Sequence, residues 1–272
     1  MIPRLRIALL TTETIHHLYF IKRLQQVQGI DIVGIFYEQK HYPDKEVSKR
    51  YLKKSNGIFD KCKRMFLNPY SNINFFQKRT EWFERYRFFD NKPVVYPEEI
   101  PLIHVWTMNE ESSISRLNEL KPDVCVVFGT GVIKEKVLQV PSKGTINVHR
   151  GILPDYKGLD SDLWAIWNGD FEKIGTTIHF VDTGLDTGNI IEQLTISLSS
   201  TEGIYSLRYY TTVIAADMVT SILQKFQKGE VDSKPQVGNG RCYSFMPYPI
   251  KWLILLKYNR YMRMCGNGRQ SF

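Results

Sequence analysis

Short apolar runs alternate with amphipathic stretches along the chain. Arg6-Ile-Ala-Leu-Leu10 is apolar after its first residue and reads as a strand buried on both faces. From His17 to Val27 the apolar positions Leu18, Ile21, Leu24 and Val27 recur at helical spacing and form one stripe. Ile30 to Tyr37 is rich in β-branched residues and reads as a second strand. Strand, helix and strand in this order predict a βαβ unit and therefore a parallel sheet. Further along, Ser113 to Leu120 reads as a helix, Lys121-Pro122-Asp123 as a turn and Val124 to Phe128 as a strongly buried strand. Gly129-Thr130-Gly131 follows directly, then a short helix from Val132 to Leu138 and a strand from Gly144 to Val148. Gly175 to Val181 and Ile190 to Leu198 read as a strand pair, and Tyr205 to Lys228 as a long amphipathic helix.

This pattern predicts an α/β protein: an open, mostly parallel, Rossmann-like sheet with helices on both faces. Residues 40 to 95 interrupt the alternation. They are basic and aromatic, with Phe66, Tyr70, Phe75, Phe76, Trp82, Phe83, Tyr86, Phe88 and Phe89. This stretch reads as a helical insertion lying over one edge of the sheet, its aromatics forming a local core. The expected organisation is a catalytic domain over 1–200 with that insertion, then a C-terminal helix and a basic amphipathic tail over 201–272. The first connection, Thr11-Thr12-Glu13-Thr14, has no glycine and no GxGxxG. It cannot wrap a pyrophosphate as a dinucleotide-binding turn does, which argues against a nicotinamide dehydrogenase.

Composition narrows the picture further. The 272 residues suffice for a full core, and 43% of them are hydrophobic. No apolar run reaches the ~18 residues needed to span a bilayer. The run from Ile7 to Leu10 is too short for a signal peptide, so a cytoplasmic location is expected. Cys62, Cys125, Cys242 and Cys265 are scattered without a CxxC pair, and no disulfide framework or metal site is expected. His16-His17 is likewise not expected to hold a metal, since adjacent helical residues do not face one site. The net charge of +8 is uneven: Asp44 to Lys92 holds thirteen Lys/Arg against six Asp/Glu, and Lys251 to Phe272 holds five Lys/Arg and no acid. Such regions favour anionic partners: phosphate groups, nucleic acid or an anionic membrane face. The tail Lys251-Trp-Leu-Ile-Leu-Leu-Lys257-Tyr-Asn-Arg260-Tyr-Met-Arg263 has the pattern of an interfacial helix and points to peripheral membrane contact. The oligomeric state is not legible.

The stretch that carries chemistry runs from Thr145 to Gly188. It contains Asn147-Val-His149-Arg-Gly-Ile-Leu-Pro154-Asp-Tyr-Lys-Gly158, then Gly175-Thr-Thr-Ile-His179-Phe-Val-Asp182-Thr-Gly184-Leu-Asp186-Thr-Gly188. Residues i and i+2 of a strand share a face, so Asn147 and His149 project together at its carboxyl end, where open α/β sheets bind ligands. Pro154 and Gly158 mark a turn that can fold back over that end. Asp186 lies in a glycine-flanked loop that can bring a carboxylate alongside. An amide can donate to a carbonyl oxygen; an imidazole can stabilise an oxyanion or move a proton near neutral pH; a carboxylate can orient the imidazole or accept a proton from an attacking amine. Together they suit acyl transfer by direct attack of an amine, since no serine or cysteine in the stretch is placed as a nucleophile. His179 reads as a packed or rim residue. Asp182 reads as structural rather than catalytic.

Asn-x-His, a Leu-Pro turn ending in glycine, and a downstream Leu-Asp-x-Gly together resemble the folate-dependent formyltransferases, over roughly Lys121 to Leu198. That family includes the glycinamide ribonucleotide, methionyl-tRNA and sugar-nucleotide N-formyltransferases. The resemblance implies 10-formyltetrahydrofolate as co-substrate, no metal, and Asn147, His149 and Asp186 in the catalytic positions. It implies that the pterin lies between two loops, contacted largely by backbone: Gly129, Thr130, Gly131, Val132 and Ile133 on one side, Val181, Asp182 and Gly184 on the other. One departure is Gly151, which stands where many members carry a serine, so any hydrogen bond from that hydroxyl is absent. Methionyl-tRNA formyltransferase has a C-terminal barrel, and about forty residues follow Lys228, which disfavours a nucleic-acid acceptor. A small anionic amine, the amino group of a nucleotide-linked amino sugar, is the expected acceptor because its diphosphate suits a basic rim. Glycinamide ribonucleotide, hydroxyornithine-type amines and methionyl-tRNA are the alternatives, as is a non-catalytic membrane-surface scaffold of the same fold.

Overall fold

The computed structural model describes residues 4–39, 75–94 and 99–267. β1 (Leu5–Thr11), α1 (Ile15–Gln25) and β2 (Ile30–Glu38) form the opening βαβ unit. α2 (Phe75–Phe89) is followed by β3 (Leu102–Val105), α3 (Glu111–Leu120), β4 (Val124–Phe128), α4 (Glu135–Leu138) and β5 (Thr145–His149). Then come β6 (Tyr156–Gly158), α5 (Ser161–Asn168), β7 (Gly175–Phe180), β8 (Ile190–Thr195), α6 (Leu207–Lys228), β9 (Arg241–Tyr243) and α7 (Tyr248–Asn267).

The main sheet has seven strands in the order β3-β2-β1-β4-β5-β7-β8. The first five are parallel, and β7 and β8 add antiparallel to β5 and to each other. β6 and β9 pair parallel in a separate small sheet. Alternation along each strand divides the core in two. Leu5, Ile7, Leu9, Val124, Val126, Ile146 and Val148 pack against α1 and α6, while Ala8, Leu10, Cys125 and Val127 pack with Leu117 and Val137 on the other face. Helices therefore cover both faces, as an apolar parallel sheet requires. A third cluster joins Tyr156, Leu163 and Ile166 to Ile254 and Tyr258 of α7. Among the described residues no helix is long and apolar enough to cross a membrane.

The fold departs from the sequence pattern at several places. Helix was expected from Val132, but it spans only Glu135–Leu138. Ile133 is drawn into the core and Lys134 is extended, with φ −91° and ψ 162°, so the chain cannot begin coiling earlier. The strand expected to Leu198 ends at Thr195, and a 3-10 turn occupies Leu198–Ser200. β3, β6, β9 and α5 were not anticipated. The stretch 40–74, most of the expected insertion, lies outside the described residues. Its described helix, α2, packs on α1 and α6. Phe88 stacks on Tyr19 at 4.1 Å, and Glu84, fully buried, forms an ion pair through both carboxylate oxygens with Arg208. The aromatics of α2 thus join the main body rather than a core of their own, although Trp82 and Tyr86 stack on each other at the surface.

Candidate active site

Parallel β5 and antiparallel β7 meet in a register that pairs Asn147 with His179 and His149 with Thr177. Ile146 and Val148 face the α1/α6 core, so Asn147 and His149 face the opposite side together, as the strand period dictates. His179 and Thr177 join them from across the ladder. Asp186 enters from the β7–β8 connection in a left-handed conformation with φ 52°, which aspartate tolerates better than most residues. The sequence-predicted trio is thereby brought to one place. Asn147 Nδ2 lies 3.5 Å from Asp186 Oδ1, and His149 Nδ1 lies 3.5 Å from Asp186 Oδ2.

The hydrogen bonds fix the ring states. His149 Nε2 lies 2.6 Å from the carbonyl oxygen of Tyr156. A carbonyl only accepts, so Nε2 carries a hydrogen and only Nδ1 is open to chemistry. Likewise His179 Nδ1 donates to the Phe180 carbonyl at 2.7 Å, leaving His179 Nε2 to accept from Asn147 Nδ2 at 3.1 Å. Asp186 Oδ2 accepts the Gly158 amide at 2.8 Å. Burial pushes the pKa of His149 below its ordinary value, against the opposing pull of Asp186 and the Tyr156 carbonyl. For Asp186 burial acts to raise the pKa, but His179, His149 and the Gly158 amide outweigh it and hold the group at about 2. Near neutral pH the site therefore holds a neutral His149 whose bare Nδ1 faces the Asp186 carboxylate, with burial opposing and the carboxylate favouring a proton on the ring.

The surrounding scaffold was largely invisible in the sequence. Thr177 Oγ1 donates to the Gly151 carbonyl and accepts the Leu153 amide, and Gln193 Nε2 donates to the Leu153 carbonyl, which pins the turn after His149. Gln236 Nε2 donates to the carbonyls of Asp186 and Gly188 at 2.9 Å each and latches the Asp186 loop. Asp182 accepts the Gly184 amide and the Thr187 hydroxyl and so shapes that loop from within. A Cβ at Gly151 would lie 2.7 Å from both His149 Nε2 and Ser161 Cβ. The packed imidazole itself thus requires the glycine, and the Ser161 hydroxyl lies 3.5 Å from His149 Nε2.

The loop leaving β4 is held by residues the sequence reading passed over. Glu38 Oε2 accepts the Gly131 amide at 2.6 Å, and Asn109 bridges the Val132 carbonyl and the Lys134 amide. Gly129, with φ 79°, abuts the His17 ring, where a Cβ would meet Cε1 at 2.6 Å. His16 and His17 were expected to diverge, yet both reach Thr14 Oγ1 at 3.0 Å with ring centroids 4.0 Å apart, because they sit in the first turn of α1. Ile133 is buried, and Val181 packs against the same cluster, so the β4 and β7 loops flank a common floor. Val132 and Leu185 project from the two loops as exposed apolar side chains. Among the described residues no group of His, Cys, Asp and Glu is arranged to hold a metal.

The model of the formyl transferase family matches residues 57–230. The chain belongs to that family. A methionyl-tRNA formyltransferase from Thermodesulfovibrio yellowstonii is 34% identical over 141 residues, 51% of this chain and 45% of its own length. One from Clostridioides difficile is 29% identical over 177 residues, 65% of this chain and 56% of its own. The chain thus spans about half the length of the curated relatives it matches. A 4-N formyltransferase from Francisella tularensis superposes with a TM-score of 0.55 over 88% of this chain and 76% of its own, at 14% identity. At that identity the likeness is one of fold, and it agrees with the open, mostly parallel sheet described above.

Proposed function

We propose that this chain is a folate-dependent N-formyltransferase that moves a formyl group from 10-formyltetrahydrofolate to a primary amine, the amino group of a nucleotide-linked amino sugar. The observation that carries the reading is the convergence of Asn147, His149 and Asp186 at the carboxyl end of β5 in a chain of the formyl transferase family. The pterin is assigned to the space between the Gly129–Ile133 and Val181–Asp186 loops. Exposed Val132 and Leu185 suit a flat apolar ring, and the backbone between them offers polar groups. The Gly131 amide is already engaged by Glu38, so recognition falls to the neighbouring backbone.

When bound, the folate supplies a formyl carbon joined to a nitrogen that can leave. Asn147 is placed to donate an N–H to the formyl oxygen as negative charge develops there. His149 Nδ1 and Asp186 take the proton that the attacking amine loses and return it to the departing carrier nitrogen. One carbon–nitrogen bond forms, one breaks, and one proton crosses between the two nitrogens. Asp186, ionised through the physiological range, faces the positive charge that His149 gains when its Nδ1 takes the proton.

Positive charge favours an anionic acceptor. The chain carries +8, and Arg150 lies one residue past His149, half-buried beside Asp162 at 4.0 Å. An anionic amine is drawn to such a rim. Identity to enzymes named for methionyl-tRNA supports a second reading, with a tRNA acceptor. Turnover of 10-formyltetrahydrofolate against a panel of amines, amino-sugar nucleotides included, tests the proposal. His149→Ala and Asp186→Ala should each lower kcat by about 10²-fold or more, and Asp182→Asn far less. Near-normal turnover in either alanine variant removes that residue from the mechanism.

A further inference from the structure

We propose that the outward face of α7 is a docking surface for an anionic lipid bilayer. One side of this helix is committed to the protein. Ile254 and Tyr258 are fully buried, the Tyr258 and Thr201 hydroxyls lie 2.5 Å apart, and Tyr261 stacks on Phe171 at 3.7 Å. The other side carries Trp252, Leu253, Leu256 and Met264, exposed by 48%, 52%, 67% and 68%. Trp167, 39% exposed, lies at the end of α5 where Lys257 Nζ of this helix donates to its carbonyl at 2.6 Å. Lys257, Arg260 and Arg263 are exposed among these apolar side chains, and no acid occurs from Tyr248 to the last residue.

Single exposed apolar residues are ordinary, but a run of large ones on one helix face marks a binding surface. The interleaved cations choose the partner. Two copies meeting through this face would bring arginines and lysines together with no acid on the helix to offset them. A bilayer with anionic headgroups supplies negative charge at the depth of the cations and an apolar layer just below for tryptophan, leucine and methionine. Because the inner side is anchored in the fold, the helix lies along the surface and does not insert end-on.

Co-sedimentation of the full chain with phosphatidylcholine vesicles, with and without phosphatidylglycerol, tests this. Binding should require phosphatidylglycerol and weaken as salt is raised. Trp252→Glu with Leu256→Glu should weaken it by about tenfold or more. Arg260→Glu with Arg263→Glu should do so by at least about tenfold, since each basic residue near the surface contributes roughly fivefold. All four positions are exposed, so the melting temperature of both variants should match that of the parent, which separates lost docking from lost folding. Equal binding to neutral vesicles, no sedimentation at all, or a dimer in light scattering that Leu256→Glu dissolves would each overturn the proposal.

Discussion

His149 answers to three neighbours at once: the Tyr156 carbonyl fixes its Nε2 hydrogen, Asp186 faces its Nδ1, and Gly151 leaves room for the ring. Burial depresses its pKa, and this has a readable consequence for stability. As pH falls through the ordinary histidine value, about 6.5, the unfolded chain binds a proton at this residue that the folded chain does not. The contribution of neutral His149 is therefore full above that pH and is lost below it. Asp186 has the carboxylate sign: its contribution is full above the ordinary value of 3.8 and is lost only as pH drops toward about 2. Between pH 7 and pH 5 the unfolding free energy of the parent, measured by denaturant titration, should fall more steeply than that of His149→Gln, by at most about 1.4 kcal/mol per pH unit. Parallel curves would mean that His149 titrates normally. At this scale the sequence was legible where geometry is local. Asn147 and His149 share a face because strands have a period of two. His179, Ser161 and the Gly158 amide were not legible as partners, since they arrive through an antiparallel pairing and a folded-back turn that leave no local signal.

The turn between β5 and α5 is the element that converts a strand end into a closed site. Gly158 ends β6 with φ 85°, and a Cβ there would stand 2.2 Å from the Tyr243 carbonyl oxygen of β9. Only glycine can therefore let β9 pair with β6 while the Gly158 amide reaches Asp186. Gly158→Ala should impose left-handed strain of about 1–2 kcal/mol and, beyond it, push β9 away. Thermal unfolding should show a drop of several degrees, and kcat should fall with it as Asp186 loses its anchor. A variant with unchanged melting temperature and turnover would show that the β6–β9 pairing does not hold the carboxylate. Proline and glycine did announce a turn over this stretch. β6 and β9 escaped notice because three-residue strands carry no periodicity. The helix expected from Val132 failed for the opposite reason: its apolar residues serve a loop whose conformation is fixed by Glu38 and Asn109 from elsewhere in the chain.

Taken whole, the molecule is a near-neutral body with unevenly placed positive charge, and the proposed acceptors differ in how many of their own charges would meet it. The βαβ opening revealed the parallel sheet in advance, because apolar runs and helical stripes are strong signals. The antiparallel end and the docking of α2 onto α1 and α6 rest on long-range contacts such as Glu84 with Arg208, which no local pattern encodes. Part of the charge in α2 is also spent internally, with Arg87 paired to Glu202 at 2.7 Å and Arg79 over the Tyr205 ring. The basic residues at 45–64 lie outside the described residues, and their contribution is best read through salt. A diphosphate acceptor engages few charges, and with a Debye length of about 8 Å near physiological ionic strength its attraction to a basic rim is screened only in part. Its KM should rise about two- to fourfold between low and moderate salt, with kcat nearly constant because binding to ground and transition states weakens equally. A tRNA acceptor engages several phosphates together, so its KM should rise by more than about tenfold over the same range. Charge reversal at Lys53 and Lys54 should raise KM in either case and leave kcat in place. If the KM of every acceptor is indifferent to both salt and these substitutions, the basic stretch is a solvated surface with no part in acceptor choice.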